Sequence, residues 1–280
     1  MVEVIKISIK TLIIEFVTEN GPSHIRQIHL QISQILPQVP QHTIRARLSE
    51  MSSIEKLEAL GLGFYGLYQE NKQLCSVVSY PNRGPWGNAK YRGNCSGFLV
   101  KDLILRFNCQ SIFDPAQGSG TVKDVVEGIN KYRQKNIQYL GEDLKQGWDV
   151  MTSTLPQRQF DMVWYHPPYW DIIRYSTDPR DLSTCQTLGE FEGRLNRSAE
   201  RLFSILKAGG VLAILIGDKR KCGQYFALLK TLLANPNLGE LRAIIIKIQH
   251  NCSSGIKDYG TSRFLIPIRH EYCLIFQNPG

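Results

Sequence analysis

The segment that most restricts the fold is Phe160–Trp170, FDMVWYHPPYW, an apolar strand that stops at two adjacent prolines and presents a histidine and two aromatics. The second proline has φ fixed near about −65° and pushes the first toward extended backbone. Two successive residues without an N–H also leave the Pro167 carbonyl outside any regular ladder. A stiff corner with acceptors beside an aromatic face suits the capture of one flat, amino-bearing ring. Taken alone, the same eleven residues also fit an ordinary strand-ending turn.

Upstream, Ser111-Ile-Phe-Asp-Pro-Ala-Gln-Gly-Ser-Gly-Thr121 leads into a helical pattern from Val122 to Arg133. A strand that enters a Gly-x-Gly turn and then a helix lets a ligand approach the backbone closely and meet the helix N-terminus. No Lys-Ser/Thr pair follows the glycines, which argues against a P-loop. The dinucleotide fingerprint lacks its third glycine.

Asp114-Pro115-x-x-Gly118-Ser119-Gly120-Thr121, followed by a strand ending in x-Pro-Pro-Tyr169, resembles the S-adenosylmethionine-dependent DNA amino-methyltransferases, which modify adenine N6 or cytosine N4. The likeness runs from about Tyr80 to Phe276. Those proteins usually open the second motif with Asp, Asn or Ser, whereas this chain has His166. The resemblance implies an α/β fold, a doubly wound, mostly parallel seven-stranded methyltransferase (Rossmann-like) sheet, with S-adenosylmethionine as cofactor. It also implies that Asp114, Pro115, Gly118, Gly120 and Thr121 contact that cofactor.

Charge and cysteines bound the partners. The net charge is +8, and residues 1–72 hold seven Lys/Arg against seven Asp/Glu, so the whole excess lies in 73–280. That points to a polyanion, although a generic basic surface fits as well. Seven dispersed cysteines without a Cys-x-x-Cys pair point to reduced thiols in the cytoplasm, and away from disulfides or a structural metal. No run reaches the roughly 18 apolar residues of a membrane span.

Two domains are expected, 1–72 and 73–280. In the first, helical periods over 7–20, from Ser23 (as cap) to about Gln34, and from Gln41 precede a possible hairpin at Phe64–Tyr68. This pattern looks like a winged helix-turn-helix, whose third helix enters the major groove of double-stranded DNA. Gln41, His42, Thr43, Arg45 and Arg47 would then face DNA, while Ile44 and Leu48, on one face with Met51, hold the helix in the core. The competing reading is a winged helix used for packing or dimerisation.

In the second domain, residues 71–79 serve as linker and leading strand. The Gly-, Trp- and Arg-rich run from Tyr80 to Gly97 reads as a functional loop before a helix at Phe98–Phe107. By resemblance Asn94 and Ser96 would touch the cofactor's methionine part, while Arg83 and Arg92 would meet DNA phosphates. The strand 137–143 ends in Asp143 about 20 residues past the glycine turn, where a carboxylate can hold a ribose diol. By resemblance Asp149 would accept from the cofactor's adenine amine, and a solvated surface Asp is the alternative. Beyond the corner the chain reads as a mobile loop (171–188), a helix (190–206) stopped by Lys207-Ala-Gly-Gly210, and a strand (211–216). A helix (224–233), a strand (241–249), a basic loop (255–264) and a last, antiparallel strand (272–276) follow.

Methyl transfer to an exocyclic amine needs acceptors for both N–H hydrogens, because the nitrogen lone pair is otherwise delocalised into the ring. The Pro167 carbonyl, held by Pro168, is one acceptor. By resemblance the residue before it, His166, is the other, which requires neutral imidazole. Activity is then expected to fall below the histidine's pKa, and a flat profile from about pH 5.5 to 8 would exclude that role. Tyr169, with Trp170 as a second candidate, would stack on the flipped base. Tyr169→Ala is expected to weaken transfer and Asp143→Ala cofactor binding. Relatives with this motif order, often found beside restriction nucleases, carry a large recognition domain after the catalytic one. Here recognition is expected from the winged helix or the loops. An RNA amino-methyltransferase and an inactive DNA-binding regulator are the rival readings.

Overall fold

The computed structural model describes residues 8–53, 57–61, 64–67, 74–81, 83–250 and 265–280. The N-terminal part runs α1 (Ile9–Asn20), β1 (Ser23–His24), α2 (Ile25–Ile35), α3 (Gln41–Ser53), β2 (Leu57–Gly61) and β3 (Phe64–Leu67). The helical period turns Leu12, Ile13 and Val17 of α1, Ile25, Ile28 and Ile32 of α2, and Ile44, Leu48 and Met51 of α3 into one buried cluster. Each such burial contributes about 1.5–3 kcal/mol. The three strands form an antiparallel sheet in the order β1-β3-β2.

Ser23 is not the cap of α2. It pairs with Tyr65 in the sheet and its hydroxyl donates to the Gly21 carbonyl at 2.8 Å. His24 takes the cap: its Nδ1 accepts from Arg26 N at 3.0 Å, and its own N donates to Gln27 Oε1 at 3.0 Å.

The larger part contains β4 (Val77–Ser79), α4 (Gly97–Arg106), β5 (Ser111–Asp114), α5 (Thr121–Arg133), β6 (Gln138–Gly141), β7 (Phe160–Tyr165), α6 (Leu188–Phe203) and β8 (Leu206–Ile216). Then come β9 (Lys219–Lys221), β10 (Gln224–Phe226), α7 (Leu229–Leu233), β11 (Glu240–Ile248) and β12 (His270–Gln277). Seven strands make one sheet in the order β4-β11-β12-β8-β7-β5-β6. Within it β12 alone runs against its neighbours. The expected doubly wound, mostly parallel seven-stranded sheet with a reversed C-terminal strand is therefore present.

β7 explains why the sheet needs cover on both faces. Met162 and Trp164 join the core built on α4 and α5, while Val163 and Tyr165 join the opposite core on α6 and α7. A strand buried on both sides reads as a continuous apolar run, as Phe160–Tyr165 does. Because β4 to β8 and β11 are parallel, the segments after β4, β5, β6, β7 and β8 all emerge at one edge of the sheet, the edge where such folds bind ligands.

Two helix expectations fail. Lys207-Ala-Gly-Gly210 does not stop a helix: α6 ends at Phe203 and this run is a bulge inside β8, where pairing with β7 shifts register between Phe160 and Met162. Gly209 N donates to the Asn278 carbonyl at 2.8 Å, and Asn278 N to the Gly210 carbonyl at 2.9 Å. Residues 224–233 are not one helix either. β9 and β10 form a hairpin turning at Cys222 and Gly223, both at positive φ (49° and 79°), and only Leu229–Leu233 is helical. The basic loop expected at 255–264, and Tyr68 of the first hairpin, lie outside the described residues.

Candidate active site

At the C-terminal edge of the parallel strands lies a cavity of about 230 Å³. The β5–α5 turn contributes Asp114, Pro115, Gly118 and Thr121; the segment after β6 contributes Asp143 and Asp149; the corner after β7 contributes His166 and Pro168. Asn94 and Tyr91 close one side, and Tyr175 and Asp181 of the post-corner segment another. The glycine turn and the corner after β7, through His166 and Pro168, thus border the same space. Of the expected residues, Gly120, Ser96, Pro167 and Tyr169 do not line it.

The glycine turn is shaped for close approach. Gly118 and Gly120 have φ of +50° and +80°, and Gly120 is the N-cap of α5. A Cβ at Gly118 would come within 3.1 Å of the Tyr91 ring, so any larger residue there would push against the tyrosine that lies across the turn. The Tyr91 and Tyr175 rings are 6.1 Å apart and inclined by 22°, and Lys145 Nζ sits 4.5 Å from the Tyr91 centroid. These two tyrosines went unnoticed in the sequence, where only the Gly- and Trp-rich loop and the polar post-corner run pointed toward them.

Among the carboxylates lining the cavity, Asp114, Asp143 and Asp149 differ in their surroundings. Asp114 is 2% exposed, and burial pushes its carboxyl up to about 7 against the opposing bond from Ala116 N. Asp143 Oδ2 accepts from Gly118 N at 2.9 Å and its Oδ1 from Lys145 N at 2.9 Å, so it ties the second strand to the glycine turn. Asp149 is not a solvated surface residue: it is 3% exposed, with Oδ1 accepting from Met151 N at 2.9 Å and Oδ2 from Thr152 Oγ1 at 2.6 Å.

The loop before α4 is internally braced. Arg83 donates to the carbonyls of Ala89 and Asn94, so its guanidinium is spent on the loop, whereas Arg92 is exposed. Asn94 Oδ1 accepts from Thr121 Oγ1, linking this loop to the start of α5. Ser96 Oγ, one residue past the cavity-lining Cys95, is buried without a partner among the described residues.

The post-corner segment is fastened rather than loose. Arg194 of α6 holds the Pro179 carbonyl at 2.9 Å, and Asp181 accepts from Ser183 N and from Ser176 Oγ, each at 2.8 Å. Trp170 is buried, with Nε1 donating to the Cys185 carbonyl at 2.9 Å, which takes it away from any base-stacking position. Tyr169 is also differently placed from its expected role. Its ring lies against Gly217, where a Cβ would come within 2.8 Å, and its hydroxyl joins His166 Nε2 at 2.9 Å and Glu271 Oε1 at 3.0 Å. Lys247 Nζ donates to the other Glu271 oxygen at 2.7 Å. Burial is the main cause that lowers His166 to about 4, so its imidazole is neutral near pH 7. Glu271 and Lys247 were missed in the sequence, where an acidic residue opening an apolar last strand was the sole hint.

In α3, Arg45 and His42 are exposed, Gln41 and Thr43 half-buried, and Arg47 pairs with Glu50 at 2.7 Å. No group of three or more metal-ligating side chains occurs among the described residues.

No family model and no curated protein matches the chain. Among solved structures, a proposed DNA modification methylase from Thermus thermophilus, complexed with S-adenosyl-L-methionine, matches with 25% identity and a TM-score of 0.34, over 45% of this chain and 51% of that one. The N-methyltransferase NodS from Bradyrhizobium japonicum matches with 9% identity and a TM-score of 0.35, over 69% of this chain and 90% of that one. TrmN from Thermus thermophilus matches with 17% identity and a TM-score of 0.32, over 66% and 50%. The chain spans about half the length of the Thermus methylase structures. At TM-scores this low the likenesses add nothing to the residues themselves. Its own strand order and reversed last strand make it a doubly wound, mostly parallel α/β sheet, the fold the sequence resemblance implies, with the glycine turn and the Pro-Pro corner on one sheet edge.

Proposed function

We propose that this chain is an S-adenosylmethionine-dependent DNA methyltransferase that acts on an exocyclic amine of a flipped base, adenine N6 before cytosine N4. The observation that carries this reading is the cavity bordered both by the Gly118 turn and by His166 and Pro168 of the corner.

Three features in or next to the cavity fit the cofactor. The glycine turn opens the N-terminus of a 13-residue helix, which favours a carboxylate or a ribose oxygen. Buried Asp114 gains a partner if a cationic group sits beside it. Ser96 Oγ, at the N-cap of α4, is an orphan that a ligand carboxylate would satisfy. The cofactor supplies an electrophilic methyl on sulfonium sulfur.

The chain's residues do the rest. Asp143 holds the ribose diol and Asp149 the adenine amine, with Thr121, Asn94 and Pro115 completing the wall. The Pro167 carbonyl and a ring nitrogen of His166 accept the two hydrogens of the target amine, which exposes its lone pair toward the cavity. Holding amine and methyl about 3 Å apart is worth several orders of magnitude in rate. Arg92 meets backbone phosphates, and the N-terminal helices, read as a winged helix-turn-helix, bring Gln41, Thr43, Arg45 and Arg47 to duplex DNA.

Tritium transfer from labelled cofactor to unmethylated plasmid, with RNA in parallel and nucleoside analysis of the product, tests the reading. Label in N6-methyladenine or N4-methylcytosine is expected. Label confined to RNA, or none in any acceptor while cofactor binds, overturns it.

A further inference from the structure

Tyr169 sits where the resemblance asks for a stacking ring, yet its hydroxyl lies between His166 and Glu271. A phenol has one hydrogen to give. Glu271 is ionised, because Lys247 at 2.7 Å holds its carboxyl below the usual range despite burial. The Tyr169 hydroxyl therefore donates to Glu271 Oε1, at 3.0 Å. Its oxygen then faces His166 Nε2, at 2.9 Å, with only lone pairs left, so that nitrogen must carry the hydrogen. A neutral imidazole has a single N–H, and Nδ1 is left as an acceptor. The ring borders the cavity beside Pro168, and Nδ1 has no hydrogen-bond partner among the described residues.

We propose that Glu271 and Tyr169 are positioning residues: Glu271 orients the Tyr169 hydroxyl, which fixes the hydrogen of His166 on Nε2 and leaves Nδ1 to accept one hydrogen of the target amine. This rests on the amino-methyl transfer reading. It explains how histidine serves where Asp, Asn or Ser would offer an oxygen. Those oxygens accept without a choice of tautomer, whereas imidazole in the other tautomer would set an N–H against the amine's own hydrogens. The groups facing His166 are Tyr169 at the corner, Glu271 on β12, Lys247 on β11 and Arg83 in the loop before α4. Glu271 favours imidazolium, whereas burial, with Lys247 and Arg83 acting in the same direction, outweighs it, so the acceptor form persists at neutral pH.

The test uses the full chain labelled with ¹⁵N-histidine, with His166 assigned by the signals lost in His166→Asn. At pH 7 the wild-type protein is expected to show a protonated Nε2 and an unprotonated Nδ1. Tyr169→Phe removes the oxygen and should leave His166 in a tautomer mixture. Its kcat on DNA should fall by about tenfold, the worth of one lost hydrogen-bond acceptor, with KM for the cofactor within about twofold. In a His166→Asn background the same Tyr169→Phe change should cost less than about twofold, because an amide oxygen needs no relay. A residue that merely supports the fold would cost the same in both backgrounds. Protonated Nδ1 in the wild-type protein, or equal losses in the two backgrounds, overturns the proposal. The tautomer is read without substrate, so a chain that binds cofactor yet methylates no DNA refutes the proposed function separately.

Discussion

Asp114 ends β5 with a carboxyl that burial has pushed up to about 7, inside a cavity where the proposed ligand carries positive charge. A cation beside it favours the ionised form, so binding should release a proton wherever free Asp114 is protonated. Cofactor affinity is therefore expected to rise with pH up to about 7 and then level, by at most about tenfold per pH unit. Asp114→Asn should abolish the slope. Calorimetry at pH 6 in buffers of different ionisation enthalpy reads the released proton directly. His166 gives the complementary prediction for turnover. An ordinary imidazole would lose activity between about pH 5.5 and 7, but burial lowers this one to about 4. Only the imidazolium fails to accept, so kcat at saturating cofactor and DNA should stay flat from pH 8 to 5.5. The flat profile that seemed to exclude His166 from sequence alone is thus the expected one, and a decline centred near pH 6.5 would contradict a ring held neutral by its surroundings.

At the scale of elements, the β8 bulge is the feature most sensitive to one atom. A Cβ on Gly210 would lie 2.9 Å from the carbonyl oxygens of Lys207 and Phe160, both main chain and unable to yield cheaply. Gly210→Ala is expected to cost about 1–3 kcal/mol in urea unfolding while leaving His166 and the glycine turn in place. The bulge also shows where sequence reading stops. Lys-Ala-Gly-Gly after an amphipathic run reads as a helix stop, because glycine favours that role locally. Only pairing with Asn278, far along the chain, turns it into a strand. The β9–β10 hairpin was hidden for a like reason, its apolar residues mimicking a helical period across Gln224–Leu233. By contrast the places of the glycine turn, Asp143 and the Pro-Pro corner at the strand ends were legible, since each rests on local backbone chemistry. Glu271 was not, because its partner Tyr169 is 102 residues away.

Over the whole molecule, the proposed function assigns the basic excess of residues 73–280 and the exposed Arg45 of α3 to the same DNA. Arg45→Ala should weaken DNA binding across sequences and reduce the slope of log K against log salt by about 1. Arg47 should matter less, being paired with Glu50 at 2.7 Å. Unchanged salt dependence by fluorescence anisotropy would return the N-terminal helices to a packing role. The chemistry itself depends on the two motifs meeting across one cavity. A crystal structure of the chain with S-adenosylhomocysteine tests this most directly. The expected result is the thioether sulfur inside the cavity between Gly118 and Pro168, on the side facing His166. A ligand bound elsewhere, or one whose sulfur points away from the paired prolines, would contradict it.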